Sequence, residues 1–159
     1  MIEQVKVAVK TDDGGVVVMS IVTNDGANIR VEPTTEYINE QITKSSAHDW
    51  GGKPISWRRI DDAELPDRHF RGAWEDNGRL GINMARAREI HLNDIRRARD
   101  LRLAELDTTY MRADERGDLG EKQQIARRKQ ALRDLPITFD LTVAKTPEEL
   151  KALWPEELA

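Results

Sequence analysis

The chain has no cysteine among its 159 residues. Without thiols it cannot form disulfides, use thiolate catalysis or bind zinc through sulfur. The missing cysteines also leave undetermined whether the protein works in an oxidising or a reducing compartment. Apolar runs are short, and none approaches the roughly eighteen residues that a membrane-spanning helix needs. The first residues, Met-Ile-Glu-Gln-Val-Lys, lack the basic-then-apolar layout of a signal peptide. We therefore expect a soluble protein made in a cytosol, with no membrane partner.

A strong excess of charge of one sign is also missing. The formal net charge is −4, so the whole protein is not attracted to DNA or to anionic membranes. Apolar residues make up 38% of the chain, a low value, and charged residues make up 34%, a high one. A thin core with much charged surface indicates an extended protein, or one that buries surface against a partner.

The first third of the chain has the pattern of an antiparallel β module. Residues 4–10 alternate polar and apolar side chains, and a β-branched run follows at 16–22. The intervening residues 11–15, TDDGG, readily adopt the positive φ angles that tight turns between strands require. They therefore predict a hairpin. The further expected elements are a turn at 24–27 leading to a strand over 28–32, a short helix over 35–43 capped by Thr35, and an edge or partly covered strand over 55–60.

Residues 61–82 look irregular, because acidic and turn-forming residues surround a few large apolar side chains. Phe70 and Trp74 are the aromatic residues of this segment. No convergent set of polar residues accompanies them, so we interpret them as anchors that hold the loop on a neighbouring core, not as a ligand-stacking pair.

From Asn83 onward the apolar residues recur at helical spacing. A long helix should extend to about residue 116, with a possible break at 107–109, and end at Gly117. A second helix is expected over 119–134, ended by Pro136, followed by a strand-like run over 137–143. Thr146-Pro147-Glu148-Glu149 has the cap, the first-turn proline and the third-position glutamate of a helix start.

The predicted fold class is therefore α+β. It combines a small N-terminal antiparallel β module with a long amphipathic helix, a helical hairpin and a short C-terminal helix. The expected divisions are a β-rich module over 1–62, an ordered connecting loop over 63–82 and a helical region over 83–159.

Six arginines lie within residues 86–102, which raises the question of a phosphate-binding helix. Four carboxylates are interleaved with them up to residue 105, and several fall at helix-neighbour spacing: Asp94 with Arg97, Arg96 with Asp100, and Arg102 with Glu105. Because such carboxylates would repel phosphates, a solvated face or a protein interface is favoured over nucleic acid. Arg86 and Arg88 occupy the first turns, where the helix dipole disfavours cations, so we expect a carboxylate from elsewhere beside them.

No constellation of catalytic or metal-ligating residues stands out. The three histidines, His48, His69 and His91, show no ligand spacing, and His91 falls on the apolar side of the long helix. The DDGG at 12–15 lacks both the EF-hand spacing and the glycine-lysine of a phosphate loop, so a hairpin turn is favoured. We therefore predict no enzyme, no cofactor and no metal site.

Several stretches resemble a group of small proteins encoded in the tail region of tailed bacteriophages and prophages, which are similar to phage tail assembly chaperones and tail-fibre assembly proteins. The likeness covers roughly residues 57–155. Its most specific parts are LPDR.FR.AW, filled by Leu65-Pro66-Asp67-Arg68, Phe70-Arg71 and Ala73-Trp74, and KQALRDLP at Lys129–Pro136; TPEELKALWP at 146–155 is a further one. Residues 1–50 carry no such resemblance.

This resemblance implies a role in tail-fibre or baseplate assembly, as an assembly chaperone or as a subunit retained in the virion tail. The implied partner is a tail-fibre or baseplate protein, and the implied location is the host cytoplasm during assembly or the virion tail. The alternative, from a different class, is a nucleic-acid-binding or anti-host phage factor that uses the arginine-rich helix.

The long helix has more apolar surface than the second helix can cover. Apolar surface contributes about 25 cal/mol per Å² when buried, so an uncovered stripe favours self-association, and we expect a homotrimer or an assembly with a trimeric partner. Ile95 and Ala98 would lie near the axis, with Arg96, Arg97 and Arg99 at a charged rim. The predicted interface residues are Met84, Ala87, His91, Ile95, Ala98, Leu103, Leu106 and Tyr110.

Overall fold

A computed structural model describes residues 4–22, 32–48 and 50–158. Contacts within the chain divide it into two units, Met1–Asn83 and Met84–Ala159. The first contains the β-strands and the second is helical, so the predicted α+β class is confirmed. Among the described residues, no helix is both long enough and apolar enough to cross a membrane.

The first unit is built on a three-stranded antiparallel sheet. Its strands are β1 (Gln4–Thr11), β2 (Val16–Val22) and β3 (Pro54–Ile60), in the order β2-β1-β3. The predicted hairpin joins β1 to β2: Gly14 has a φ of +78°, and the Asp13 carboxylate accepts a hydrogen bond of 3.0 Å from the Gly15 amide. The turn expected at 24–27 and most of the strand expected at 28–32 lie outside the described residues.

One face of this sheet is covered by α1 (Thr35–Ser46). The buried residues of this layer are Val7, Val9, Ile21, Ile38 and Ile42. The cap lies one residue earlier than predicted, since the Thr34 hydroxyl, not that of Thr35, accepts a hydrogen bond of 3.3 Å from the Tyr37 amide. The helix also runs past residue 43, because nothing in Lys44-Ser45-Ser46 ends a helix.

The opposite face of the sheet packs against the segment that we expected to be irregular. A second core joins Ala8 and Ile60 of the sheet to Leu80. Leu80 belongs to a small hairpin of β4 (Trp74–Asp76) and β5 (Leu80–Ile82), preceded by short 3₁₀ helices at Asp62–Glu64 and Arg68–Ala73. Asn77-Gly78 between these strands is a known hairpin signal that the sequence analysis passed over, and Gly78 has a φ of +93°.

The second unit begins with one continuous helix, α2 (Met84–Glu115), about 48 Å long at 1.5 Å per residue. Residues 107–109 do not divide it. Gly117 ends it as predicted, with a φ of +68°, and Asp118 caps α3 (Leu119–Thr138) by accepting a hydrogen bond of 2.9 Å from the Glu121 amide.

The prediction that α3 ends at Pro136 and is followed by a strand was wrong. The helix continues through Pro136 to Thr138, and Leu141–Val143 forms a 3₁₀ turn. Only two residues of α3 follow Pro136, so the distortion that its ring and missing N–H cause disturbs little of the helix. The remaining elements are α4 (Pro147–Ala152), with the predicted capping box of Thr146 and Glu149, and a 3₁₀ turn at Glu156–Leu158.

Candidate functional site

In the helical unit a groove of about 470 Å³ lies between α2 and α3. Its floor is mainly apolar, with Ile125 and Leu132 from α3 and Leu106 from α2. Its rim is charged, and Arg102 and Glu105 on that rim form an ion pair of 2.8 Å. The lining residues from α2 are Arg102, Glu105, Leu106 and Thr109; those from α3 are Glu121, Gln124, Ile125, Arg128, Ala131 and Leu132; Glu157 is the last.

Cation–π contacts and ion pairs around Tyr110 join the two helices that form this groove. The ammonium groups of Lys122 and Lys129 each lie 5.4 Å from the centre of the tyrosine ring. Lys129 also pairs with Asp107, and Lys122 pairs with Asp114. The hydrogen bond to Asp114 is the main reason that the pKa of Lys122 is raised. These contacts connect α3 to the stretch of α2 between Asp107 and Asp114.

The segment that follows α3, residues 139–158, folds back onto the first half of α2; we call it the C-terminal segment. The Arg88 guanidinium donates hydrogen bonds of 3.2 Å to the Leu141 carbonyl and 2.9 Å to the Ala144 carbonyl. The His91 Nε2 atom lies 2.7 Å from the Leu153 carbonyl oxygen. The ring of Trp154 meets that of His91 edge-on, with centroids 5.7 Å apart.

Local hydrogen bonds and buried side chains stabilise the conformation of the C-terminal segment. The Asp140 carboxylate accepts hydrogen bonds from the Thr142 hydroxyl at 2.6 Å and from its amide at 2.8 Å, and these contacts lower the pKa of Asp140. Leu150 and Pro155 are fully buried. The segment is therefore part of the folded unit and not a loose tail.

This arrangement places the predicted interface residues in two different settings. Ala87, His91 and Ile95 are buried within the chain, on the half of α2 that the C-terminal segment contacts. The remaining five are half-buried: Met84, Ala98, Leu103, Leu106 and Tyr110. Of the eight, Leu106 lines the groove. The stripe that the sequence presents as one surface is thus not one open surface in the folded chain.

The arginines of α2 are engaged mainly with their own helix. Arg97 pairs with Asp94 at 3.3 Å and Arg102 with Glu105 at 2.8 Å, as predicted. The predicted pair of Arg96 with Asp100 was wrong: Arg99 contacts Asp100 at 2.8 Å.

Arg96 instead donates a hydrogen bond of 3.0 Å to the Asn93 side chain. Arg88 donates to two backbone carbonyls, and its charge also contributes to lowering the pKa of Asp140, so a carboxylate from elsewhere in the chain acts on it as expected. These contacts explain how a cation is accommodated in the first turns. The predicted rim of Arg96, Arg97 and Arg99 is therefore largely neutralised along the helix itself.

The two aromatic residues of the 61–82 segment are both buried. The Trp74 indole donates a hydrogen bond of 3.1 Å to the Asp67 carbonyl, which closes the loop between them. The edge of the His69 ring lies against Phe70, with centroids 4.6 Å apart. These contacts are structural, and none of them presents an open ring face of Phe70 or Trp74 to a ligand.

The first unit contains a half-buried network of ion pairs that was not predicted from the sequence. Arg58 of β3 contacts Glu64 at 2.9 Å and Asp76 at 2.8 Å, and so joins the sheet to the first 3₁₀ helix and to β4. The hydrogen bond from Arg58 is the main reason that the pKa of Glu64 is lowered, and the same contacts raise the pKa of Arg58. Nothing in the local pattern of these residues indicated the pairing, because they are far apart in sequence.

Among residues 4–22, 32–48 and 50–158, no three His, Cys, Asp or Glu side chains are grouped so that they could hold a metal ion. The Asp12 carboxylate accepts a hydrogen bond of 2.8 Å from the Lys53 amide, so it takes part in building the turn. Compared with protein-family models, with curated proteins and with solved structures, the chain matches none.

Proposed function

We propose that this chain is a bacteriophage tail protein that acts in tail-fibre or baseplate assembly, as an assembly chaperone or as a subunit retained in the virion tail. Its partner would be a tail-fibre or baseplate protein, met in the host cytoplasm during assembly. The proposal involves no enzymatic activity and no cofactor. The motifs at Leu65–Trp74 and Lys129–Pro136 support it through their resemblance to tail assembly proteins.

The groove between α2 and α3 is the observation that carries the proposal. An apolar floor with a charged rim is the usual surface for an amphipathic helix of a partner, which inserts its apolar side chains between two helices. A volume of about 470 Å³ accommodates a few large side chains of such a helix. A protein that binds an elongated tail component before that component is complete requires a surface of this kind.

Charge supports a protein partner over nucleic acid. Met84–Ala159 contains fifteen basic and fifteen acidic residues, so the helical unit has no net charge. Three arginines of α2 are also paired with carboxylates of the same helix: Arg97, Arg99 and Arg102. A neutral, internally paired helix lacks the counterion-release energy on which phosphate binding depends.

The homotrimer expected around Ile95 would require the C-terminal segment to leave α2, because Ile95 is fully buried in the folded chain. For this reason the proposal takes the groove, and not the Ile95 stripe, as the surface that meets the tail protein.

The test is affinity purification of the tagged full-length chain from cells in which the phage is being assembled. We expect a tail-fibre or baseplate protein to be enriched with the wild type. Ala131→Phe, which fills the groove wall, should remove most of that enrichment. Ala126→Phe is the matched control, because Ala126 is exposed on the same helix and does not line the groove.

Two results would count against the proposal. If the tail protein is enriched equally with the wild type and with Ala131→Phe, the groove is not the surface that binds it. The absence of any tail protein, together with a salt-dependent mobility shift of DNA by the purified chain, would favour the nucleic-acid or anti-host role instead.

A further inference from the structure

We infer that the face of α2 turned away from α3 is a self-complementary dimerisation seam, whose partner is a second copy of this chain lying antiparallel. Six residues form this face, here called the outer seam: Arg97, Leu101, Ala104, Thr108, Met111 and Glu115. The inference rests on exposure, spacing and charge in the helical unit, and it does not depend on the proposed function.

The outer seam contains two large apolar side chains that are exposed to solvent. Leu101 is 71% exposed and Met111 is 63% exposed, although each is a large apolar side chain. Ala104, Thr108 and Glu115 are exposed as well, and the Arg97 side chain is 81% exposed. These residues lie on the opposite side of α2 from Leu103, Leu106 and Tyr110, which lie towards α3.

The spacing of the outer seam is that of a coiled coil. Its residues follow one another at intervals of four, three, four, three and four, which keeps them on one side of a helix that pairs with another helix. α2 is continuous across the seam, which is about 27 Å long at 1.5 Å per residue. The small residues at its centre, Ala104 and Thr108, allow the helix axes to approach near the lower end of the usual 8–10 Å.

Charge selects the antiparallel arrangement. When two copies lie antiparallel about the centre of the seam, Leu101 meets Met111 of the second copy and Ala104 meets Thr108 of the second copy. Arg97 then meets Glu115 of the second copy. Because of the two-fold symmetry each contact occurs twice, so an isologous interface forms with opposite charges closing both ends.

A parallel dimer or trimer through the same face is disfavoured. It would place Arg97 against Arg97 and Glu115 against Glu115, with like charges at both ends of the seam. The pair that Arg97 makes with Asp94 in its own chain is exposed and measures 3.3 Å, so exchanging it for Glu115 of the second copy loses little.

One flank of the seam carries three carboxylates that are paired within their own chain. Asp100, Asp107 and Asp114 lie along one side, where they would approach the same residues of the second copy. Each already has a cation of its own chain: Arg99, Lys129 and Lys122 respectively. With only two large apolar residues per copy, the interface belongs to the small, transient class, so dimerisation should depend on concentration in the accessible range.

The test uses the full chain and charge reversal at the ends of the seam. By sedimentation velocity, the wild type should pass from 18.2 kDa towards twice that mass as its concentration rises. Arg97→Glu alone and Glu115→Arg alone should each weaken dimerisation, on the order of tenfold or more, because each places like charges at both ends. Arg127→Glu, an exposed position of α3, makes the same charge change and should leave dimerisation unaltered.

Mixing the two weakened variants is the decisive step. An Arg97→Glu chain and a Glu115→Arg chain present only opposite charges to one another in the antiparallel arrangement, so the mixture should form a heterodimer. In a parallel arrangement the ends of the mixed dimer would also attract, but the single variants would associate no less than the wild type.

Cysteine cross-linking fixes the direction independently, and the absence of natural cysteine gives a clean background. In the antiparallel dimer, an Ala104→Cys chain should cross-link to a Thr108→Cys chain more readily than to itself. A wild type that stays at 18.2 kDa at all concentrations, a trimer, or preferential self-cross-linking of Ala104→Cys would each overturn the inference.

Discussion

In each unit, a single arginine side chain joins elements that are distant in sequence. Arg58 joins three elements of the β module, and Arg88 ties the C-terminal segment to α2 through two backbone carbonyls. Neither partner set was predictable from the sequence, because the contacting residues lie 6 to 56 positions apart and follow no periodic pattern. Helix-neighbour pairs such as Asp94 with Arg97 were predictable, since helical geometry fixes them locally.

Replacing Arg88 by alanine should destabilise the helical unit. The carbonyls of Leu141 and Ala144 would lose their charged donor, at a cost of about 1–3 kcal/mol. We expect a lower urea midpoint for loss of helical signal, and faster amide exchange in residues 139–158. Arg127→Ala is the control. Unchanged exchange in the C-terminal segment would show that Arg88 does not hold it.

The Arg58 network predicts a specific acid sensitivity of the β module. The pKa of Glu64 in the folded protein lies below its ordinary value of 4.5, so the ion pair stabilises fully above pH 4.5. That stabilisation is lost as the pH falls through the lowered pKa. Arg58→Met should therefore lower stability at pH 7 and flatten its decline in acid, whereas Arg68→Met should leave both unaltered. Parallel pH profiles for Arg58→Met and the wild type would contradict this.

At the scale of elements, several signals that depend only on residues within one turn were predictable. Gly117 as a helix end and the Thr146–Glu149 box were read from the sequence, whereas the cap of α1 was expected at Thr35 and is Thr34. Pro136 misled the prediction, because a proline in a last turn costs less than a proline in a helix interior. The β4–β5 hairpin was missed although Asn77-Gly78 marks it, since its strands have only three residues each.

Two glycines near the α2–α3 turn should respond oppositely to alanine. Gly117 has a φ of +68°, so Gly117→Ala should cost about 1–2 kcal/mol. Gly120 lies inside α3, where an added Cβ meets the Asp118 carboxylate at an ordinary 3.5 Å, so Gly120→Ala should stabilise by up to about 1 kcal/mol. Thermal unfolding followed by circular dichroism compares them, and equal shifts would refute the assignment.

At the scale of the whole molecule, the fold class and the sequence of a β part followed by a helical part were predictable from hydrophobic periodicity, whereas the closure of the helical unit was not. The sequence placed Ala87, His91 and Ile95 on the apolar side of the long helix, and we expected that side to meet another chain, whereas all three are buried within this one. What covers this stripe could not be read, because His91 meets Leu153 across 62 positions of chain. The α2–α3 groove was missed for the same reason, since its walls come from two helices.

Removing the C-terminal segment should expose that stripe. In an Arg97→Glu background, which silences the outer seam, a chain ending at Thr138 should associate through Ala87 and Ile95. Adding Ile95→Asp should return it to a monomer, because the aspartate would be desolvated in any such contact. Light scattering measures the mass. A truncated chain that stays folded and monomeric would contradict this account of the stripe.

The central proposal, a role in tail assembly through the α2–α3 groove, is tested most directly on phage particles. The measurement is electron microscopy of particles made without the chain and complemented in trans. We predict tails that lack fibres or a complete baseplate, restored by the wild type and by Ala126→Phe but not by Ala131→Phe. Intact, infectious tails in the absence of the chain would contradict the account.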